Sequence, residues 1–356
     1  MVQRAATIAP PIGFVLVVAV WNRSLGGLIA VLVALVLVAA VLAAVHHAEV
    51  VAHKVGEPYG SLVLAVSVTV IEVALIVALM ASGGAKAETL ARDTVFSALI
   101  ITTAGIVGFS LLSSTFRGPV PVVYFNSEGA GAALSTIAAL AALTLVLPTF
   151  TTSAPGPTFT AGQLAFAAIA SLTLYLLFVF VQTVRHRDYF IHEAGDEDEH
   201  AEPPATATAV MSLILLLVSL VAVVGLAKTL SPNIESAVIG AGLPIAFVGV
   251  VIAMVVLLPE GIAAVRAARI GRVQTSLNLA FGSAMASIGL TIPTIAIAQI
   301  WLPVQLVLGL GPLQITLLVI ALFTAALTVI PGRATLLQAG VHVAIFAAFL
   351  AVSVAP

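Results

Sequence analysis

Apolar residues fill this chain in long runs, and polar residues gather in short stretches between the runs. The runs are apolar on all sides, with Gly and Ala among the larger side chains, and they do not alternate with polar residues. About 20 apolar residues in a helix cross a hydrocarbon core, whereas barrel strands alternate. The pattern therefore predicts an all-α polytopic membrane protein.

Eleven such runs predict about 11 transmembrane helices. They lie near residues 7–22, 27–46, 60–81, 93–114, 130–149, 162–184, 207–229, 236–258, 274–299, 312–330 and 334–353. Composition agrees, because 61% of the 356 residues are hydrophobic and only 8% are charged. The chain has no cysteine, which excludes disulfides and thiolate metal sites.

The longest polar segment separates the helices into groups and predicts four parts. These are an N-terminal helix (1–26), a first five-helix repeat (27–184), an acidic loop (185–206) and a second five-helix repeat (207–356). A five-helix unit starts and ends on opposite sides of the membrane. Two such units in tandem therefore have inverted topology, as in many secondary transporters. The third helices of the two repeats align without a gap, with Thr94 on Thr275, Thr102 on Ser283 and Gly108 on Gly289.

The basic residues predict the orientation. One side of the predicted topology carries nine of the 13 Lys and Arg residues, and the other side carries Arg23, Lys86, Arg92 and Lys228. Positively charged loops stay in the cytoplasm. We therefore expect a cytoplasmic N-terminus and an external C-terminus.

Each repeat places a glutamate in its second helix, and these two residues are the candidate site. Glu72 lies near the middle of its run, whereas Glu260 is central only if Leu243 to Ile270 form one helix broken near Pro259. A carboxylate within the bilayer costs about 2.5–3.5 kcal/mol even on insertion scales, so it is a functional candidate by default. The bland alternative is a protonated carboxyl that hydrogen-bonds a neighbouring helix, and a repeated pair makes that alternative weaker.

Hydroxyl groups near the glutamates could complete a cation site. Thr69 lies three residues before Glu72, and Ser283 and Ser287 share a helix face, with Thr102 aligned on Ser283. Carboxylates, hydroxyls and carbonyls freed by helix breaks form a hard oxygen cage, which suits Ca²⁺. Desolvated carboxylates also take up protons when the cation leaves. If the cation and the protons compete for the same oxygens, and the site opens to each side of the membrane in turn, the protein exchanges one for the other.

The acidic loop carries five carboxylates within residues 193–199, on Glu193, Asp196, Glu197, Asp198 and Glu199. It is either a solvated linker or a segment that collects or senses cations.

Several motifs identify a family. They are Gly56-Glu-Pro-Tyr-Gly60, Ser67-Val-Thr-Val-Ile-Glu72, Ala91-Arg-Asp-Thr94, Phe180-Val-Gln-Thr-Val-Arg-His-Arg-Asp-Tyr-Phe190, Leu257-Leu-Pro-Glu-Gly-Ile-Ala-Ala-Val-Arg-Ala-Ala268 and Gln274-Thr-Ser-Leu-Asn-Leu-Ala280. Here the chain resembles the calcium:cation antiporter superfamily, in particular the bacterial sodium(potassium)/calcium:proton antiporters of the ChaA type. The resemblance implies two inverted five-helix repeats in the bacterial inner membrane. It also implies that Glu72 and Glu260 bind the cation and exchange it for protons.

The cargo stays open between Ca²⁺ and a monovalent ion, Na⁺ or K⁺. Vacuolar relatives have Gly-Asn before each signature Glu and a His after it, whereas Val73 follows Glu72 and Gly261 follows Glu260 here. An intramembrane lipid-modifying enzyme and a passive channel are weaker alternatives. The sequence has no Gly-rich phosphate loop, no His-Glu metalloprotease motif and no Ser-His-Asp set. We expect no cofactor, no nucleic-acid partner, and inorganic cations, protons and the lipid bilayer as partners.

Overall fold

Helices make up nearly all of the protein in the computed structural model, which describes residues 2–21, 23–56, 59–81, 87–117, 121–190, 204–301 and 305–356. The acidic loop, with Glu193, Asp196, Glu197, Asp198 and Glu199, lies outside the described residues, so its role stays a prediction. The helices are α1 (Val2–Val20), α2 (Gly27–Val55), α3 (Tyr59–Ala81), α4 (Leu90–Ile100), α5 (Val107–Arg117), α6 (Ser127–Ala141), α7 (Leu147–Phe150), α8 (Ala161–Phe180), α9 (Thr206–Gly240), α10 (Phe247–Arg269), α11 (Val273–Gly289), α12 (Thr291–Ala298), α13 (Pro312–Val329) and α14 (Leu336–Val354).

Short π-helical segments connect some of these helices into longer rods. Ile101–Ile106 joins α4 to α5, Ala142–Val146 joins α6 to α7, and Val181–Arg185 extends α8. Within the described ranges, nine helical segments are long and apolar enough to cross a membrane, and Ala5–Val20 and Val66–Ala81 are two shorter apolar ones. The predicted all-α polytopic fold with about 11 transmembrane helices is therefore confirmed.

One predicted helix boundary is wrong, and the error moves a functional residue. The sequence predicted a gap after 229 and a helix over 236–258, but α9 continues through Pro232 to Gly240, and α10 begins at Phe247. The chain turns instead at Gly242, whose φ of 70° lies in the left-handed region that favours glycine. The real turn therefore shifts the eighth helix towards the C-terminus and places Glu260 well inside it.

The helices pack in three groups around a central set. Of the nine candidate spans, Leu90–Phe116 is the most buried, and it packs with α10 and α11. Helices α1, α2 and α9 form one group, which contacts the centre mainly through α3 and also reaches α10. Helix α8 packs against α12, and helix α14 packs against α5. The centre therefore consists of α3, the α4–α5 rod, α10 and α11.

The two repeats are connected to each other at both ends of the bundle. At one end, strand β1 (Val122–Tyr124) before α6 pairs antiparallel with strand β2 (Arg333–Thr335) before α14. At the other end, the loop before α13 contacts the loop before α8, where the Gly309 N–H donates to the Pro157 carbonyl at 3.0 Å. Each connection thus joins the loop before the fourth helix of one repeat to the loop before the fifth helix of the other.

Hydrogen bonds at the starts of the third helices also join each repeat to the other. At the start of α4, Asp93 accepts hydrogen bonds from Arg92 (2.8 Å) and from Gln314 of α13 (3.3 Å). At the start of α11, the Gln274 side chain accepts one from the backbone N–H of Asn126, which caps α6 (2.7 Å). Each third helix is therefore bound to the fourth helix of the other repeat.

A glutamine caps the start of each of the two fifth helices. Thr160 and Gln163 cap each other at the start of α8, and at the start of α14 the Gln338 side chain accepts from the Thr335 N–H at 2.7 Å. Each glutamine satisfies a backbone N–H that has no partner within the helix. The two halves thus use the same residue type at the same place, as the predicted repeat leads us to expect.

Two aligned glycines allow close contact with the fifth helices. A Cβ on Gly108 would lie 2.9 Å from the backbone N of Val343 in α14, and a Cβ on Gly289 would lie 2.6 Å from the Cβ of Tyr175 in α8. Real Cβ atoms do not approach other atoms this closely, so any larger residue would move the helices apart. The aligned glycines therefore make equivalent contacts, again with the other repeat.

We expect Gly289→Ala to lower the stability of the protein by about 1–3 kcal/mol, because the added methyl group would overlap Tyr175. Gly282→Ala is the matched control in the same helix, since no described atom lies within 4 Å of its Cβ position. Thermal unfolding in detergent, followed by the fraction that elutes as folded protein, measures the difference. Equal melting temperatures for the two variants would contradict the tight contact.

Candidate cation site

Glu72 lies in the interior of α3 and is only 3% exposed. The helix forms because its sequence is almost entirely apolar, and it packs against α2, α9, α11 and α12. The residue was predicted to be central, and the structure places it among these packed helices rather than at a surface.

Glu260 lies in the middle of α10, as Glu72 lies in the interior of α3. The Glu260 side chain is 8% exposed. Both glutamates are therefore buried within the second helix of their half of the chain.

The predicted helix break at Pro259 is wrong, because α10 runs without interruption from Phe247 to Arg269. Once the helix begins at Phe247, no break is needed to bring Glu260 to its middle. Proline still has a local effect, since it has no N–H to donate to the carbonyl four residues earlier, that of Val255. Pro259 thus deprives one backbone oxygen of its usual helical donor while the helix stays intact.

The irregular backbone lies instead in the third helices. The π-helical segment Ile101–Ile106 packs against α10, α11 and α14, and a one-residue break at Leu290 separates α11 from α12. Single π turns within α-helices are frequent at functional sites. Both irregularities lie in helices that pack against the helices of the two glutamates.

A hydrogen bond between the repeats holds one of the two carboxylates. The hydroxyl of Ser287 in α11 donates to Oε2 of Glu72 at 2.7 Å. Within the described part of the chain, Oε1 of Glu72 and both carboxylate oxygens of Glu260 are buried and have no hydrogen-bond partner. Helices α3 and α10 contact each other, so the two buried carboxylates belong to the same central set of helices.

The other predicted oxygen ligands take different positions. Thr69 is buried one turn before Glu72, and Ser283 is half-buried one turn before Ser287. Thr102 is fully buried, and its hydroxyl donates within its own helix, to the carbonyls of Ala98 (2.8 Å) and Leu99 (3.0 Å). The structure therefore brings Ser287 into direct contact with a glutamate and shows Thr102 bonded to its own backbone.

Sequence reasoning missed one charged neighbour of the site, Glu49 in α2. Its charge acts on Glu260, and Arg266 of α10 and His46 of α2 act on Glu49 in turn. Glu49 is exposed and lies near the C-terminal end of α2, and Arg266 lies near the C-terminal end of α10. Glu49, His46 and Arg266 therefore lie between the buried glutamates and that end of the bundle. The available signal was Glu49 three residues after His46, in the polar C-terminal part of a helix whose N-terminal part is apolar.

The arrangement can bind positive charge. Burying an ionised carboxylate without a partner is costly, so two buried carboxylates in the same set of helices need neutralising. Among the residues that the structure describes, no three His, Asp or Glu side chains gather closely enough to hold a metal ion. A cation or protons on the glutamate pair meets the requirement, and hydroxyl and backbone oxygens of the surrounding helices are available to a cation.

Comparison with known proteins identifies the family. The family model described as sodium/calcium exchanger protein matches residues 24–184 and 211–355. A putative ionic transporter, y4hA of Sinorhizobium fredii (strain NBRC 101917 / NGR234), is 47% identical over 324 residues, which cover 90% of this chain and 87% of the relative. The sodium-potassium/proton antiporter ChaA of Escherichia coli (strain K12) is 36% identical over 310 residues, covering 86% and 83%.

Two solved structures share the fold. Native YfkE aligns over 99% of both chains with a TM-score of 0.71 and 16% identity. The H⁺/Ca²⁺ exchanger CAX aligns over 98% of this chain and 87% of its own, with a TM-score of 0.74 and 14% identity. The predicted family resemblance is therefore confirmed. The chain belongs to the sodium/calcium exchanger protein family.

Proposed function

We propose that this protein is a secondary antiporter that exports Ca²⁺ in exchange for protons, with Glu72 and Glu260 binding either the cation or the protons. The observation that carries the proposal is the buried pair of equivalent carboxylates, three of whose four oxygens have no hydrogen-bond partner among the described residues. Family membership supports exchange rather than an enzymatic reaction. Access alternates between the two faces as the repeats move about the site.

Charge balance explains how one site serves both ions. Two ionised glutamates carry two negative charges, and either one Ca²⁺ or two protons neutralise them. Both occupied forms avoid an uncompensated charge in the bilayer, whereas the empty ionised form is costly. Cation and protons therefore replace each other, and this competition couples their movements.

Ca²⁺ takes about six to eight oxygen ligands, more than two carboxylates provide. We infer that the hydroxyl oxygens of Thr69, Ser283 and Ser287 supply further ligands, because they lie on or one turn from the helix faces of the pair, and that Val255 supplies a carbonyl that receives no bond from Pro259. The Thr102 hydroxyl donates its hydrogen to the carbonyls of Ala98 and Leu99, so only a lone pair on its oxygen is available to a cation.

Exchange of Na⁺ or K⁺ for protons is the second candidate. The relative that is 36% identical is a sodium-potassium/proton antiporter. One monovalent cation and one proton would also neutralise the pair.

We place the protein in the inner membrane of a bacterium, with the N-terminus in the cytoplasm and the C-terminus outside. The support is the excess of basic residues at one end of the bundle, where Arg266 and Arg269 end α10. Glu49 lies on this side of the pair, so we infer that it faces the cytoplasmic approach to Glu260.

We expect Glu72→Gln and Glu260→Gln each to abolish cation-dependent proton movement, because a single carboxylate no longer balances the exchanged charges. Everted membrane vesicles with a pH-sensitive dye measure the exchange when a cation is added after acidification. Glu88→Gln is the control, since this glutamate is exposed in the turn before α4. Exchange that continues in both site variants would refute the glutamate pair as the binding site.

We expect Ca²⁺ to dissipate the proton gradient at lower concentration than Na⁺ or K⁺, because two fixed charges attract a divalent ion more strongly. Adding the three cations side by side to the same vesicles gives the order. If Na⁺ or K⁺ acts at lower concentration than Ca²⁺, the protein is a monovalent cation/proton antiporter instead. A cation flux that leaves the proton gradient unchanged would indicate a channel.

We expect Glu49→Gln to raise the half-maximal cation concentration about two- to fivefold without abolishing exchange, because a partly screened charge attracts cations towards Glu260. Raising the ionic strength with a cation that is not transported should reduce the difference between the variant and the unaltered protein. An unchanged half-maximal concentration in the variant would show that Glu49 has no part in the approach of cations.

A further inference from the structure

The two glutamates are equivalent in position but differ in their hydrogen bonds. Ser287 donates to Glu72, whereas no side chain among the residues that the structure describes donates to Glu260, whose nearest donor is its own backbone N–H. An exact two-fold repeat would treat both alike. The difference therefore arises from a substitution between the repeats.

Alignment of the third helices identifies that substitution. The gap-free alignment that places Thr102 on Ser283 and Gly108 on Gly289 places Ile106 on Ser287. Ile106 ends the π-helical segment and is buried, with 6% of its surface exposed. One repeat thus has a hydroxyl where the other has a branched hydrocarbon.

Contacts across the repeats show that the alignment is also spatial. Ser287 of the second repeat contacts Glu72 of the first. Ile106 of the first repeat lies against α10 of the second, with its Cγ1 and Cδ1 3.6 Å from the Cβ position of Gly261, the residue after Glu260. Ile106 therefore faces the Glu260 region of α10 as Ser287 faces Glu72 in α3, but it cannot donate.

We propose that Ser287 is a positioning residue that fixes the Glu72 carboxylate for the cation, and that Ile106 leaves Glu260 as the carboxylate free to change its orientation. The inference rests on the proposed function. With Oε2 held by Ser287, Oε1 of Glu72 is directed by the same bond. The hydrogen bond from a hydroxyl to a carboxylate is strongest when the carboxylate is ionised. The Ser287 hydroxyl therefore favours the ionised form of Glu72, which binds the cation.

Fixed and free carboxylates have different parts in exchange. A site that captures an ion needs a preorganised ligand, because ordering ligands at the moment of binding reduces affinity. A site that releases the ion to either face needs a ligand that can turn away. Glu72 supplies the first property and Glu260 the second.

The test uses Ser287→Ala, Ser287→Thr and the control Ser171→Ala in full-length protein reconstituted in proteoliposomes. Ser171 is fully buried in α8, and its hydroxyl donates to the carbonyl of Ala168 in the same helix, so the control loses the same atom without losing a bond between helices. We expect Ser287→Ala to raise the half-maximal cation concentration at least about tenfold, the effect of losing one hydrogen bond to a charged group, with a nearly unchanged maximal rate. Ser287→Thr should restore the original value, and Ser171→Ala should keep it.

Ile106→Thr and Ile106→Val test the second half of the proposal. The two side chains have similar volume, but only threonine offers a hydroxyl near Glu260. We expect Ile106→Thr to lower the half-maximal cation concentration and to slow the maximal rate relative to Ile106→Val, because a fixed Glu260 releases the cation more slowly. Equal constants for the two variants would overturn the role of Ile106.

Infrared spectroscopy of the purified protein gives a readout that does not depend on transport. The carboxyl band of Glu72, identified by its loss in Glu72→Gln, should shift in Ser287→Ala and return in Ser287→Thr. An unshifted band, or a half-maximal cation concentration unaffected by Ser287→Ala, would overturn the positioning role. If no cation moves protons through the unaltered protein, the proposed function fails, and the band alone then decides whether Ser287 orients Glu72.

Discussion

The cost of holding two carboxylates inside a hydrocarbon layer is the constraint on which the rest of this structure depends. Glu72 and Glu260 are buried in the interiors of equivalent helices. A buried charge without a partner is unfavourable by several kcal/mol or takes up a proton instead. The pair is therefore stable only when it carries protons or a cation. Transport follows if the two faces of the membrane offer these ions in different proportions.

The helices that surround this pair are held together by contacts between the two halves of the chain. Gly108 and Gly289 bring each third helix against the fifth helix of the other repeat, and Asp93 and Gln274 bind each third helix to the fourth helix of the other. The hydrogen bond from Ser287 to Glu72 belongs to the same set, since it also joins α11 of one repeat to α3 of the other. The site is thus part of a larger interface between the repeats, so movement of one repeat relative to the other acts directly on the glutamates.

Much of the architecture could be predicted because the lipid environment restricts it. Long apolar runs indicated the helices, and two glutamates at the same point of two repeated units indicated the site. The position of Glu260 could not be derived from the sequence, because a proline usually indicates a helix break, and both Pro232 and Pro259 lie nearby. Tertiary packing keeps both prolines inside continuous helices. Glu49 was missed for a related reason, since its interaction with Glu260 depends on how α2 and α10 pack, which no periodicity within one helix shows.

The ribbon of β1 and β2 has a consequence for biogenesis. Its strands, Val122–Tyr124 and Arg333–Thr335, are separated by most of the chain, and the first emerges from the ribosome long before the second. The first five-helix unit therefore enters the bilayer with strand β1, Gly108 and Glu72 all lacking their eventual partners. Contacts of such high sequence separation form late in folding. The membrane insertion machinery must accordingly tolerate an incomplete protein with an unpartnered acid in its middle until α11 brings Ser287, and Glu72 can remain in the bilayer during that interval by carrying a proton.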